Sequence, residues 1–195
     1  MIKLSQIIVA LTLLSCTAFS QAQQASTKTE RIVVGEKRVI SSKVMSEDRT
    51  LLISLPSGYE HDTDRRYPVL YTLDGDTHFQ HITGTVDWLS NQANMIPRMI
   101  VVAISNTQRG RDMTATYNNG GADNFLQFIQ SELVPYVDAN YRTQPFRILA
   151  GHSMAGHFAL NAFNQSPDLF NAIITMSPFF HQDRGDVLLV DKLSK

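Results

Sequence analysis

The chain has 195 residues, 43% of them hydrophobic and 18% charged, with a formal net charge of −1. That length accommodates one domain with a real core. The balance supplies no basic field, so neither nucleic acid nor acidic lipid is expected as a partner.

The first residues read as targeting rather than fold. Lys3 gives a short positive region, residues 7–14 an apolar run and Ser20-Gln21-Ala22 a small-x-small site, the pattern of a secretory signal occupying residues 1–22. The expected location is therefore the periplasm or the medium. The apolar run is too short to span a bilayer. Leu13-Leu14-Ser15-Cys16 also resembles a bacterial lipobox, and in that alternative the protein is a lipoprotein anchored at Cys16. Either way the folded part has no cysteine, which excludes a disulfide, a thiolate nucleophile and a cysteine metal site.

Residues 23–36 form a linker or N-terminal extension, polar and small at first, and residues 37–195 read as one domain. Residues 37–44 and 50–55 are β-rich and flank the turn-forming Ser46-Glu47-Asp48-Arg49, which predicts a hairpin. Residues 67–73 are a short apolar run ending at Asp74-Gly75-Asp76, the mark of a parallel strand buried on both faces. A covering helix follows over 79–94, then a second such strand over 99–104. After a polar loop, Phe125, Phe128, Ile129, Leu133 and Val137 make one helical stripe, which Pro135 should kink or divide. Residues 146–150 read as a strand, 154–164 as a helix and 171–176 as a further strand. Strands alternating with helices predict an α/β sandwich with a mostly parallel sheet and helices on both faces.

The stretch RILAGHSMAGHFAL, residues 147–160, places Ser153 between strand and helix, at the carboxyl end of a strand where ligands gather. A serine hydroxyl is a poor nucleophile until a base takes its proton, and it must be lifted on a tight turn to meet substrate. Gly151 and Gly156 flank it where a side chain would strike the packed elements. The bland alternative is a serine capping the following helix. Acyl transfer also needs oxyanion donors: the N–H of Met154 on the elbow, and that of Asp76 if Gly75 lets the backbone twist it inward. His78 and His81 make H-x-x-H without the glutamate or third ligand of a zinc site, so they read as helix surface or core. No metal and no cofactor are expected.

With these residues, the stretches YPVLYTLDGDTHF, IPRMIVVAISNTQRGRDMTAT, GGADNFLQFIQSELVPYVDANYRT and PDLFNAIITMSP resemble the Putative esterase family of the α/β-hydrolase superfamily. That family includes siderophore esterases, S-formylglutathione hydrolases and mycolyltransferases of the antigen 85 type. The resemblance implies an α/β-hydrolase three-layer sandwich with an antiparallel N-terminal hairpin. It also implies hydrolysis of small-molecule carboxylic esters or thioesters, with Ser153 as nucleophile and Met154 and Asp76 as oxyanion donors. Arg111 and Asp112 match an R-D-x-T stretch near the site rim and receive no chemical role. Ala155, where the family has glycine, and Ser177-Pro-Phe-Phe-His depart from the pattern and alter the expected acyl pocket.

Triad order in this fold is serine, acid, histidine. The sequence stops at Lys195, after six strands, so the last two strands and the acid and histidine they usually carry are expected to be missing, leaving a weak or inactive chain. His181 and Asp183 are the substitutes within reach of the rim. His152 and His157 are directed away from the serine hydroxyl. The sixth strand becomes an edge prone to self-association unless residues 185–195 cover it as an amphipathic helix. The alternative function is a non-catalytic ligand-binding or interaction module that keeps the hydrolase cleft.

Overall fold

The computed structural model describes residues 28–114 and 120–179. Two units separate, Met1–Ile32 and Val33–Lys195, and the architecture below belongs to the second. That body starts four residues before the expected position 37, because Ser54 Oγ donates to the Val34 carbonyl at 2.7 Å and Gly35 lies against the Ile53 backbone.

The β-rich start folds as β1 (Glu36–Ser42) and β2 (Glu47–Ser54), an antiparallel pair. β2 begins at Glu47, so Glu47, Asp48 and Arg49 lie in the strand rather than in the turn. Arg49 is drawn there by a buried carboxylate partner described below. β3 (Tyr67–Thr72) and β4 (Ile100–Ile104) are fully buried along their lengths, as continuous apolar runs require of central strands. β5 (Thr143–His152) and β6 (Ala172–Met176) complete a six-stranded sheet of order β1-β2-β4-β3-β5-β6. The pairs β3–β4, β3–β5 and β5–β6 are parallel, and β2–β4 joins the hairpin antiparallel.

Side chains of successive strand residues alternate between two cores. Leu70, Val101 and Ala150 face α1 (Gly75–Asp87), which buries Val86 on them. Val69, Tyr71, Ile100, Val102 and Leu149 face the opposite layer. That layer holds α3 (Ala122–Phe128), α4 (Val134–Asn140) and α5 (Met154–Gln165), with Phe125, Phe128, Leu133, Val137 and Phe158 buried. The result is the three-layer sandwich.

Two expected helix features differ in detail. The covering helix starts at Gly75 rather than 79, and runs on through a π-helical turn at Trp88–Gln92. The striped helix divides at a π-helical turn, Ile129–Leu133, just before Pro135. The proline lacks the N–H for the regular ladder, and the widened turn before it absorbs the mismatch. The polar loop after β4 contains a short helix, α2 (Arg109–Met113), with no apolar stripe of its own to announce it.

Candidate active site

The turn between β5 and α5 is built by steric exclusion. A Cβ on Gly151 would lie 2.2 Å from the Ala155 carbonyl oxygen, and one on Gly156 would lie 3.1 Å from the Gly151 oxygen. At Gly151 only glycine allows strand and helix to close this tightly, and at Gly156 a side chain would make the neighbouring backbone give by a few tenths of an ångström. Ser153 at the apex has φ 58° and ψ −121°, a conformation that costs a residue with a Cβ on the order of 1–3 kcal/mol. Its backbone is fixed from three sides. Its N–H donates to the Met176 carbonyl at 2.9 Å, and its carbonyl accepts from His157 and Phe179, each at 3.1 Å.

Ser153 precedes α5 but does not cap it, because its hydroxyl makes no capping hydrogen bond. The bland alternative therefore fails on geometry. Met154 and Ala155 are the first helical residues, whose N–H groups have no acceptor within the helix.

The second expected donor lies at the end of β3. The left-handed conformation falls on Asp74, at φ 54° and ψ 46°, not on Gly75. Aspartate tolerates this region because its short polar side chain bonds locally. Gly75 serves a different purpose from the expected twist: a Cβ there would come within 2.9 Å of the Ala103 and Ile104 backbone, so glycine lets α1 start against β4. Asp76 is the second residue of α1, and its N–H likewise lies in the turn that has no intrahelical acceptor.

A clamp that sequence reasoning missed holds this loop. Arg109 donates to Asp74 through Nε at 2.7 Å and Nη2 at 2.9 Å, a bidentate pair, and its Nη1 lies 3.9 Å from Met154 Sδ. Asn106 adds a donation to Asp74 Oδ1 at 2.7 Å, and its N–H donates to Asp76 Oδ2 at 2.9 Å. Burial pushes the Asp74 carboxyl up, but Arg109 and Asn106 outweigh it and hold the group below the usual carboxylate range. The ends of β3, β4 and β5 are thereby tied together. The available signal was Asn106 and Arg109 directly after a buried strand.

Below the rim, Arg111 and Asp112 join a buried charge network. Asp112 Oδ2 accepts from Arg49 at 2.7 Å, with both side chains fully buried, and Arg49 also donates to Glu47 at 2.8 Å. Arg111 donates to Glu47 at 2.6 Å and to Asp112 at 2.7 Å. The Arg49 guanidinium sits 4.9 Å from the Phe125 ring centre. These residues fasten α2, and with it Arg109, onto the sheet.

His78, His81 and His152 gather between the elbow and the first turns of α1. The His78 ring is 5.0 Å from that of His81 and 6.1 Å from that of His152, both edge-on. Burial lowers the His78 pKa and His81 adds to this, while Asp74 opposes it. Among the described residues no group of side chains is arranged to hold a metal ion. His181 and Asp183 lie outside the described residues, as do residues 1–22 with Cys16, and 185–195. Among the described residues β6 is the sheet edge, with Ile174 and Met176 exposed.

The family profile described as "Putative esterase" matches residues 42–187. The ferri-bacillibactin esterase BesA of Bacillus subtilis is 28% identical over 178 residues, spanning 78% of this chain and 61% of that protein. The siderophore triacetylfusarinine C esterase of Aspergillus fumigatus is 29% identical over 150 residues, 68% of this chain and 51% of the relative. The chain thus spans about half to three-fifths of the length of these relatives. The crystal structure of an IroE-like serine hydrolase from Shewanella oneidensis superposes with a TM-score of 0.75 at 32% identity, covering 81% of this chain and 55% of that one.

Proposed function

Because the chain belongs to the Putative esterase family, we propose that it is a serine hydrolase of carboxylic esters or thioesters acting through an acyl-enzyme on Ser153. The observation that carries this reading is the backbone of Ser153, held at φ 58° between β5 and α5 while its hydroxyl is withheld from capping. Strain of this kind, held in place by its surroundings, clusters at functional positions and supports a role for the serine beyond packing.

In the proposed reaction a base removes the Ser153 proton as the oxygen attacks the ester carbonyl carbon. The carbonyl oxygen gains the charge and is met by the N–H groups of Met154 and Asp76 at the two helix starts. Collapse expels the alkoxide or thiolate, which takes the proton from the base. Water then repeats the sequence and releases the acid. His181 and Asp183 are the base and acid candidates within this sequence. The names of the curated relatives support siderophore esters as the substrate class. The Lys3 to Ala22 pattern supports export, with acylation at Cys16 as the alternative.

The test is a fluorophosphonate probe followed by mass spectrometry of the elbow peptide, with Ser153→Ala as control. Labelling confined to Ser153 is the expected result. Absence of labelling in a folded sample would leave a cleft that binds without reacting.

A further inference from the structure

The three imidazoles beside the elbow have no part in the reaction just described. His78 lies in the first turn of α1, two residues after the proposed donor Asp76, and His152 immediately precedes Ser153. A small group placed among them would therefore be attached to the part of a substrate held beside the nucleophile. His81 and His152 are exposed, and His78 is half-buried with its Nδ1 shut off from solvent and without a hydrogen-bond partner. A buried ring nitrogen left unpaired costs on the order of 1–3 kcal/mol, which a ligand atom can recover.

The charges that face this cluster decide what that ligand is. From the start of α1 come Asp74, Asp76 and His81; from the elbow, His152; from α2, Arg109. Asp74 is neutralised by its bidentate pair with Arg109. Asp76 is engaged by the Asn106 N–H. What remains are three imidazoles near two helix starts whose dipoles favour negative charge, with His78 held below its ordinary range by burial and by His81, a cost that a bound anion would offset. Imidazolium forms below about pH 6.5, where a phenol with a pKa near 10 is still neutral and a carboxylate with a pKa near 4 is ionised. Only the carboxylate is charged while the cluster is charged.

We propose that His78, His81 and His152 form a subsite that receives a carboxylate carried by the acyl portion of the substrate, and that it does so when protonated. This rests on the serine-hydrolase reading only in placing the acyl group beside Ser153. The subsite would favour esters of dicarboxylic or carboxy-substituted acids over their uncharged counterparts, and favour them more at acidic pH.

The test is a binding measurement on the full chain that needs no turnover. Histidine ring signals are followed by NMR while benzoate, or its neutral counterpart benzamide, is added at about pH 5.5 and about pH 8. Benzoate is expected to move the signals of the three histidines. It should bind about tenfold more tightly at the lower pH, the ratio that follows when a bound carboxylate raises one imidazole pKa by one unit. Benzamide should leave the signals in place, and His78→Gln should reduce the pH preference. Should that variant fail to fold, the exposed His81→Gln carries the same expectation. Equal binding of benzamide, equal benzoate affinity at both pH values, or an unchanged preference in the folded variants would overturn the proposal. Fluorophosphonate labelling reads the nucleophile separately, so loss of either result leaves the other standing.

Discussion

Replacing Asp112 by asparagine keeps the volume of the side chain and removes its charge. In the wild type, Asp112 and Arg49 are both fully buried and 2.7 Å apart. Arg49 has no solvent to turn to, and two of its nitrogens, Nε and Nη2, already lack hydrogen-bond partners. Removing one member of a buried pair costs about 3–5 kcal/mol, because the survivor keeps its desolvation penalty without its attraction. Glu47 still accepts from Arg49 at 2.8 Å, which puts the expected loss at the lower end, about 3 kcal/mol. Arg111 is a third exposed and contributes little to the difference. Urea denaturation followed by circular dichroism measures the cost, and a melting scan should show a fall of about 6–12 °C for a chain of this size. The double variant Arg49→Met with Asp112→Leu should cost less than Asp112→Asn alone, since no charge is left stranded. A loss below about 1 kcal/mol for Asp112→Asn, or a double variant worse than the single one, would refute this account of the network.

Further outcomes are expected around the elbow. Gly151→Ala places a methyl 2.2 Å from a backbone oxygen that cannot turn away; the turn must open, and fluorophosphonate labelling of Ser153 should fall by at least about tenfold even where circular dichroism shows a folded sheet. Arg109→Met removes the bidentate hold on Asp74 and leaves that buried carboxylate with Asn106, so labelling should slow and the urea midpoint should fall. Asp74 has a folded pKa held below its unfolded value, so its contribution is fully present above about pH 4 and is lost as pH falls through the folded value. Asp74→Asn should therefore be less stable than wild type at neutral pH, with the gap narrowing below about pH 4; a gap independent of pH would remove Asp74 as the cause.

The central strands were legible because burial on both faces forces continuous apolar runs, and β3 and β4 carry them without interruption. The elbow was legible because its glycines follow from a steric need that sequence records directly. Polar positions were harder. Arg49 looks like a turn residue beside Glu47 and Asp48, and its place in β2 is set by Asp112, 63 positions later. The Asp74–Arg109 clamp spans 35 positions and leaves no periodicity. The imidazole cluster joins His78 to His152 across two helix starts, a proximity that H-x-x-H spacing does not encode. Sequence patterns record what each element needs locally, whereas ion pairs between loops depend on how the sheet brings its strand ends together.

The hydrogen bond from the Ser153 N–H to the Met176 carbonyl gives the elbow a mechanical dependence on β6. Among the described residues β6 pairs on one side only, and edge strands are the first parts of a sheet to open. When Met176 swings away, one of the three bonds that keep Ser153 at φ 58° goes with it, and the serine is freer to relax toward an ordinary backbone geometry. The amide proton of Ser153 is thus a clock for the edge: its exchange with solvent should run at the opening rate of β6 rather than at that of the deep core. Any chain or ligand that docks along this edge would slow that clock and, by the same bond, lengthen the time the serine spends in its strained form.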